Sequence, residues 1–364
     1  MTPLVRNSLL IGAVALTTMA SCKKKEEAGK TDPAGSAAPT TTAEAPPSAT
    51  TLNGSGSTFM KAFQEVAIEG FTKANTNVKI NYGGGGSGKG RQDLADQVVD
   101  YAGSDSPFKD ADLAKNKGGD LLYFPVVLGA VTVSYNVEGV SKLQLAPETI
   151  AKIFQRDIKK WDDAAIAADN PGVKLPATEI VVARRADGSG TTDIFTKFLN
   201  GAAPSVWKLK SGSTVEWPAD TQAGQGNSGV AQVVKSAPGA IGYVDLSDAK
   251  ATALSYAWIK NASGAYVEPT TASASAAGDG IEVKDNLVFS AVNAKGDAAY
   301  PISGQTWVIV YAKQTDKAKG EALKAYLRYM LTDGQGLLAE LDFAPLPKSL
   351  QDKALAQLDK LQLP

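Results

Sequence analysis

From residue 52 onward the chain predicts an α/β fold, and three observations carry that expectation. Short apolar strands alternate with amphipathic helices at the spacing of layered strand–helix units. Gly/Ser/Thr-rich loops stand directly in front of several of the helices. Beyond the N-terminal segment, no stretch is apolar enough to cross a bilayer.

Taken in order, Val78–Tyr82 reads as a strand and Leu121–Tyr135 as one or two, centred on Val126-Val127-Leu128 and Val131-Thr132-Val133. Glu179–Ala183 and Thr306–Tyr311 are further strands. Helices are predicted over Phe59–Lys73, Arg91–Val99, Pro147–Phe154, Thr192–Leu199, Gly229–Lys235 and Lys317–Leu331. The last carries Leu323, Tyr326, Leu327 and Met330 as a stripe for the core. Ala272–Ala277 is of low complexity and is expected as a solvent loop. Trp161-Asp162-Asp163 reads as a turn and helix start with surface charges rather than as an acid/base pair. Trp207 and Trp217 fit either the core or a surface. No internal repeat recurs at a fixed period.

Composition excludes whole classes of chemistry. Among 364 residues there is no histidine, which removes His triads, His general bases and His-ligated zinc. The single cysteine, Cys22, permits neither an intrachain disulfide nor a thiolate metal cluster. A formal net charge of -1 gives no basic surplus for nucleic acid. Chemistry is left to Asp, Glu, Ser, Thr, Lys, Arg, Tyr and the backbone. No catalytic residue, cofactor or metal site is expected.

The N-terminus reads as an address. Arg6, the apolar run Ser8–Ala20 and the small residues before Cys22 make a signal peptide over 1–21. Met19-Ala20-Ser21-Cys22 resembles a bacterial lipobox, with Met19 where Leu is usual, so Cys22 is expected to carry a lipid. An ordinary secretory signal with an incidental cysteine is the alternative. Residues 22–50 hold charged residues followed by Ala, Pro, Thr and Ser, and have almost nothing to bury. A flexible tether is expected there. The body would then lie in the periplasm or at the cell surface, held to a membrane by the lipid.

Three loops share one design: Gly54-Ser55-Gly56-Ser57-Thr58-Phe59, Gly83-Gly84-Gly85-Gly86-Ser87-Gly88 and Ala186-Asp187-Gly188-Ser189-Gly190-Thr191-Thr192. The first N–H groups of a helix lack internal partners, and the macrodipole places positive charge there. Glycine lets a ligand approach, and Ser/Thr hydroxyls add donors, so such loops suit anions. One loop alone is most simply an N-cap. Three in one chain, with Arg184-Arg185 before the third, shift the balance toward an oxyanion. A surface salt bridge from an Arg to Asp187 is the plain alternative. Asp105, in Ser104-Asp105-Ser106-Pro107, suits an anion that still carries a proton. An ionised carboxylate accepts from P–OH but rejects a proton-free sulfate. Gly83–Gly90 nearly fits a P-loop, but Gly90 replaces the hydroxyl that binds magnesium.

At these residues the chain resembles the phosphate-binding protein of bacterial ABC phosphate transporters. The similarity runs from about Leu52 to Leu350. It is carried by the first loop, by Gly103-Ser104-Asp105-Ser106-Pro107 and by Lys159-Lys160-Trp161-Asp162-Asp163. Arg184-Arg185-Ala186-Asp187-Gly188-Ser189-Gly190-Thr191 is its most discriminating string. Gly239-Ala240-Ile241-Gly242-Tyr243-Val244 and Leu341-Asp342-Phe343-Ala344-Pro345-Leu346-Pro347 complete it. The resemblance implies a two-lobed periplasmic binding protein-like fold of type II, each lobe a mixed sheet flanked by helices, with phosphate in the cleft. It implies that Thr58 donates its hydroxyl and Phe59 its backbone N–H. Ser87 would donate from both, and Asp105 would accept the phosphate proton. Arg185, held by Asp187, would form the charged pair. Ser189 would donate its hydroxyl, and Gly190 and Thr191 their backbone N–H groups. Ser55 and Ser57 stand where the family often has Ala, a departure that changes none of these expected contacts. The second loop is richer in glycine than usual and carries Lys89, whose charge would sit at the cleft mouth.

Lobe one would comprise residues 51–125 and 302–364, and lobe two residues 126–301, with crossings near Val126–Ala130 and Asn293–Pro301. The expected partners are inorganic phosphate and the permease subunits of an ABC importer with its cytoplasmic ATPase, with the chain itself a monomer. Two rival readings remain: a binding protein for another tetrahedral oxyanion, and a secreted phosphatase-like protein.

Overall fold

The computed structural model describes residues 49–114 and 116–364. The expected signal peptide, Cys22 and residues 23–48 of the expected tether lie outside the described residues. The strands are β1 (Thr50–Gly56), β2 (Val78–Gly84), β3 (Tyr101–Ser104), β4 (Leu121–Asn136), β5 (Gln144–Leu145), β6 (Val181–Arg185), β7 (Gln222–Gly224), β8 (Ala240–Asp245), β9 (Ser255–Tyr256), β10 (Trp258–Lys260), β11 (Tyr266–Val267) and β12 (Ser303–Tyr311). The α-helices are α1 (Lys61–Ala74), α2 (Ser87–Ala95), α3 (Asp110–Leu113), α4 (Pro147–Phe154), α5 (Ala164–Asp169), α6 (Gly190–Ala202), α7 (Gly226–Ser236), α8 (Leu246–Ala251), α9 (Thr271–Gly278), α10 (Lys317–Leu331) and α11 (Lys348–Gln357).

One mixed sheet of nine strands organises the chain, in the order β2-β1-β3-β12-β4-β8-β6-β7, with β9 paired to β4. A small sheet, β11-β10-β5, lies apart from it. The decisive element is β4. It pairs antiparallel with β12 as far as Ala130 and with β8 from Val131 onward. A single strand thus belongs to both halves of the sheet. Its residues Tyr123–Tyr135 are all buried, which is why the sequence shows a continuous apolar run there rather than an alternation. The first half holds β1, β2, β3 and β12, and the second β6, β7 and β8.

The helices follow from their apolar periodicity. In α1, Phe63, Ala67 and Phe71 recur at intervals of four and are buried on one face. In α6, Ile194, Phe195, Phe198 and Leu199 are buried, and Phe195 stacks on Tyr243 of β8 at 4.5 Å. In α10, Leu323, Tyr326, Leu327 and Met330 enter the core, and the Asp316 carboxylate caps the helix by accepting from Lys319 N. Trp207 is buried, while the partly buried Trp217 packs on Phe154 and Tyr243. Trp161 is fully buried and its Nε1 donates to Gly239 O at 2.9 Å. Asp163 caps α5 by accepting from Ala165 N, as the turn-and-helix reading expected.

Several boundaries moved. The helix expected over Arg91–Val99 begins at Ser87 and ends at Ala95. Gly88 and Gly90 disfavour helix locally, but packing overrides them, and Gln97 (φ 60) stops the helix early. Residues 272–277, expected as a solvent loop, are helical and belong to α9. Alanine is the best helix former, and Thr270 and Ser273 make a reciprocal capping box at its start. Ser273, Ala274, Ala277 and Gly278 are buried there. Thr50, placed in the tether by the sequence reading, opens β1. Among the described residues no helix is long and apolar enough to cross a membrane.

If α9 is a packed helix, Ala277→Asp should lower the free energy of unfolding by about 3 kcal/mol or more, through overpacking and an unpaired buried charge. The exposed Ala272→Asp should stay within about 0.5 kcal/mol of the parent. Urea denaturation of the two variants measures the difference.

Candidate anion-binding site

The three loops singled out in the sequence lie at strand ends that feed helices. Thr58 and Phe59 follow β1, Ser87 is the first residue of α2, and Ser189 is the N-cap of α6. Ser189 Oγ accepts from Thr192 N at 3.1 Å, which leaves its hydroxyl proton free to point outward from the helix. Gly190 and Thr191 are the first two residues of α6, so their N–H groups have no partner within the helix and are open to an acceptor. Gly85 and Gly86 take φ values of 151° and 89°, which a side chain would resist, and Gly86 N donates to Gly56 O at 2.9 Å.

Asp105 follows β3 and is 2% exposed. Its Oδ1 accepts from Ser57 Oγ at 2.6 Å and from Thr306 Oγ1 at 2.8 Å. Its Oδ2 accepts from Ser87 Oγ at 3.2 Å. Burial raises its pKa above the ordinary carboxylate value, while the three hydroxyl donors and the charge of Arg185 act in the opposite direction.

Arg185 is the last residue of β6 and is 3% exposed. Its Nε donates to Asp187 Oδ1 at 2.9 Å, and its second terminal nitrogen meets Asp187 Oδ2 in a two-point pair. The remaining terminal nitrogen donates to Asn227 Oδ1 at 2.9 Å and to Thr191 Oγ1 at 3.3 Å. Asn227 Nδ2 in turn donates to Asp245 Oδ2 at 2.8 Å. The alternative of a surface salt bridge between Arg185 and Asp187 is corrected: the pair is real, but both side chains are buried.

The two halves of the sheet meet at these loops. Gly88 N donates to Gly188 O at 2.7 Å, and Asn227 N donates to Thr58 Oγ1 at 3.2 Å. A Cβ on Gly190 would fall 2.4 Å from both Asp105 Oδ2 and Ser87 Oγ. The start of α6 is therefore pressed against the Asp105 carboxylate and the start of α2, and only glycine allows that approach. Among the described residues no cluster of three or more acidic or sulfur side chains could hold a metal ion.

Comparison with known proteins decides the family. The profile of the PBP superfamily domain matches residues 40–334. The phosphate-binding protein PstS of Methanocaldococcus jannaschii is 37% identical over 314 residues, covering 79% of this chain and 80% of that protein. The chain belongs to the PstS family of phosphate-binding proteins. Solved structures show the same periplasmic binding-protein fold. A high-affinity periplasmic phosphate-binding protein, PfluDING, solved with phosphate bound, superposes with a TM-score of 0.71 at 22% identity, covering 84% of this chain and 93% of its own. A protein of Clostridium perfringens assigned as a phosphate ABC transporter substrate-binding protein, also with bound phosphate, gives 0.61 at 18% identity and covers 82% of this chain and 100% of its own.

In this PstS-family chain two expectations from the sequence need correction. Ser57, expected to leave the anion contacts unchanged, donates to Asp105 and accepts at 3.1 Å from Phe59 N, the N–H expected for the anion, while Ser55 donates to Asp93 Oδ2 at 2.7 Å. Lys89, expected to add charge at the cleft mouth, pairs with Asp93 one turn along α2, so its charge is countered on its own helix. Sequence reasoning also missed Thr306, Asn227 and Asp245. Thr306 sits inside a wholly buried apolar strand, Asn227 just inside the start of α7, and Asp245 at the cap of α8, and none of these has a local signature of an anion site.

Removing Asp187 leaves the Arg185 guanidinium buried without its counter-charge. Asp187→Ala should destabilise the protein by about 3–5 kcal/mol, read by chemical denaturation without added anion.

Proposed function

We propose that the chain binds inorganic phosphate between the two halves of the sheet and delivers it to an ABC-type import permease with a cytoplasmic ATPase. One observation carries the reading. The start of α6, the start of α2 and the Asp105 carboxylate just after β3 converge on one buried spot, beside the pinned guanidinium of Arg185. Helix N-termini and a cation favour an oxyanion, and the buried carboxylate selects one that carries a proton.

In this reading Thr58 and Ser189 donate their hydroxyls, Gly190 and Thr191 their open backbone N–H groups, and Phe59 its N–H, which would be shared between Ser57 Oγ and the anion. Ser87 donates its backbone N–H, and its hydroxyl, held by Asp105 Oδ2 at 3.2 Å, would turn to the anion as Asp105 accepts the P–OH proton in its place; Arg185 pairs with the anion. The protein acts by capture rather than turnover. The sequence has no histidine, so a serine nucleophile activated by an imidazole base is not available to it. A lipid on Cys22 and a tether over residues 22–50 would hold a monomeric body at a membrane surface in the cell envelope, within reach of the permease.

The halves correspond in this reading to a lobe of residues 51–125 with 302–364 and a lobe of residues 126–301. Phosphate would stabilise the closed arrangement because only that arrangement brings both sets of donors together. Small-angle scattering of the 23–364 body should show a smaller radius of gyration with phosphate than without. An unchanged radius would rule out closure on binding.

Calorimetric titration with phosphate and with sulfate, on wild type and Asp105→Asn, tests the selectivity. Wild type should bind phosphate and exclude sulfate near neutral pH. The variant should lose at least about ten-fold in phosphate affinity and admit sulfate. Because burial raises the Asp105 pKa, acidification through that raised value should protonate the carboxyl, turn it into a donor and relax sulfate exclusion at a pH above the ordinary Asp range. Equal binding of both anions by wild type at neutral pH would refute the role of Asp105.

A further inference from the structure

The buried cation that the proposed function does not use is Arg91. The residue is 6% exposed, yet every hydrogen bond it makes among the described residues goes to a serine. Arg185, by contrast, is pinned by a carboxylate. One terminal nitrogen of Arg91 donates to Ser104 Oγ at 2.9 Å, to Ser106 Oγ at 2.7 Å and to Ser106 O at 3.3 Å. These two serines flank Asp105. The other terminal nitrogen reaches Ser213 Oγ at 3.4 Å. The carbonyl of Ser213 accepts from Ser189 N at 2.8 Å. Arg91 also lies one turn after Ser87 on the same face of α2. One side chain therefore ties the turn that carries Asp105 to the loop that carries Ser189, across the two halves.

We propose that Arg91 is a positioning residue of the anion site, a second cation that keeps Asp105 ionised and clasps the Ser189 loop through Ser213. The proposal rests on the phosphate-binding reading above. The charges around the site balance in its terms. Asp187 pairs with Arg185 and Lys197 with Asp193, while the Arg91 charge is favoured by Asp193, Asp112 and Asp105 in that order, Asp105 being the one of the three at the anion site. An unpaired charge in a poorly screened interior acts on its neighbours over several ångströms. The groups that face the guanidinium are Asp193 of α6, Asp112 of α3, Asp105 and Tyr123 of β4. Those that act on Asp105 are Arg91 itself, Arg185, Tyr82 and the buried carboxyl of Asp245. All but Arg91 stay unchanged in the variants below.

The test uses Arg91→Met, Arg91→Lys and Ser213→Ala, with phosphate and sulfate titrated across the acidic pH range. Arg91→Met should weaken phosphate binding by about ten-fold or more, since it removes charge-assisted hydrogen bonds. It should also admit sulfate at a higher pH than wild type, because Asp105 loses a cation that favours its ionised form. Arg91→Lys keeps the charge and loses the planar fork, so its pH profile should stay near wild type while its phosphate affinity falls between the two. A merely structural Arg91 would leave the pH at which sulfate enters unmoved, and that result overturns the proposal. If Arg91→Met does not fold by circular dichroism, the other two variants decide. Each should weaken phosphate by about three-fold or more with the wild-type pH profile, and wild-type affinity in both overturns the proposal. Failure of wild type itself to bind phosphate would instead sink the underlying function, and this proposal with it.

Discussion

A carboxylate taken out of water costs several kcal/mol unless donors surround it. Asp105 meets that condition with three hydroxyls from three different places: Ser57 after β1, Ser87 at the start of α2 and Thr306 in β12. Satisfying one side chain therefore fixes the relative positions of three elements of the first half of the sheet. The loops proposed to face the anion are held by the same bonds that make the buried charge tolerable. A site built this way is rigid before any ligand arrives, and electrostatic selectivity depends on that rigidity.

The second half supplies the opposite charge under a similar constraint. Arg185 is buried at the end of β6 and is held on all sides, by Asp187, Asn227 and Thr191. Asn227 is itself tied to Asp245. The guanidinium cannot swing out to solvent, so its charge is aimed. Between the halves, β4 runs without interruption and changes partner after Ala130. Two preorganised sets of groups, one on each of the halves that this strand joins, give the arrangement that the proposed capture mechanism needs. Glycine at 88, 188 and 190 lets the two sets approach to backbone contact.

Family membership and site geometry support one another from independent directions. Sequence identity of 37% to a PstS protein places the chain in its family. The solved phosphate-binding structures share its fold at low identity. Neither comparison orients a single hydroxyl in this chain. The hydrogen bonds around Asp105 and Arg185 do that, and they bring in Ser57, which takes part in the carboxylate's hydrogen bonding.

Much was legible in the sequence because it is local. The alternation of strands and helices, the spans of α4 and α10, and the anion loops at helix starts are all encoded in neighbouring residues. Periodicity and capping act over a few positions, so a single chain displays them. What the sequence could not show depends on residues far apart. Thr306 lies 201 positions from Asp105, and Thr58 lies 169 from Asn227. The start of α2 at Ser87 is settled by packing on β1, where Gly90 lies within reach of Gly56, against the poor helix propensity of its own glycines. α9 departs from the expected loop for the complementary reason: its alanines look featureless in one dimension, and only the surface of β4 and β12 gives them something to be buried against. The sequence by itself determined the layers, the loops and the charges available. The tertiary structure decided which of those charges stand together, because desolvation and pairing are properties of a place in space and not of a position along the chain.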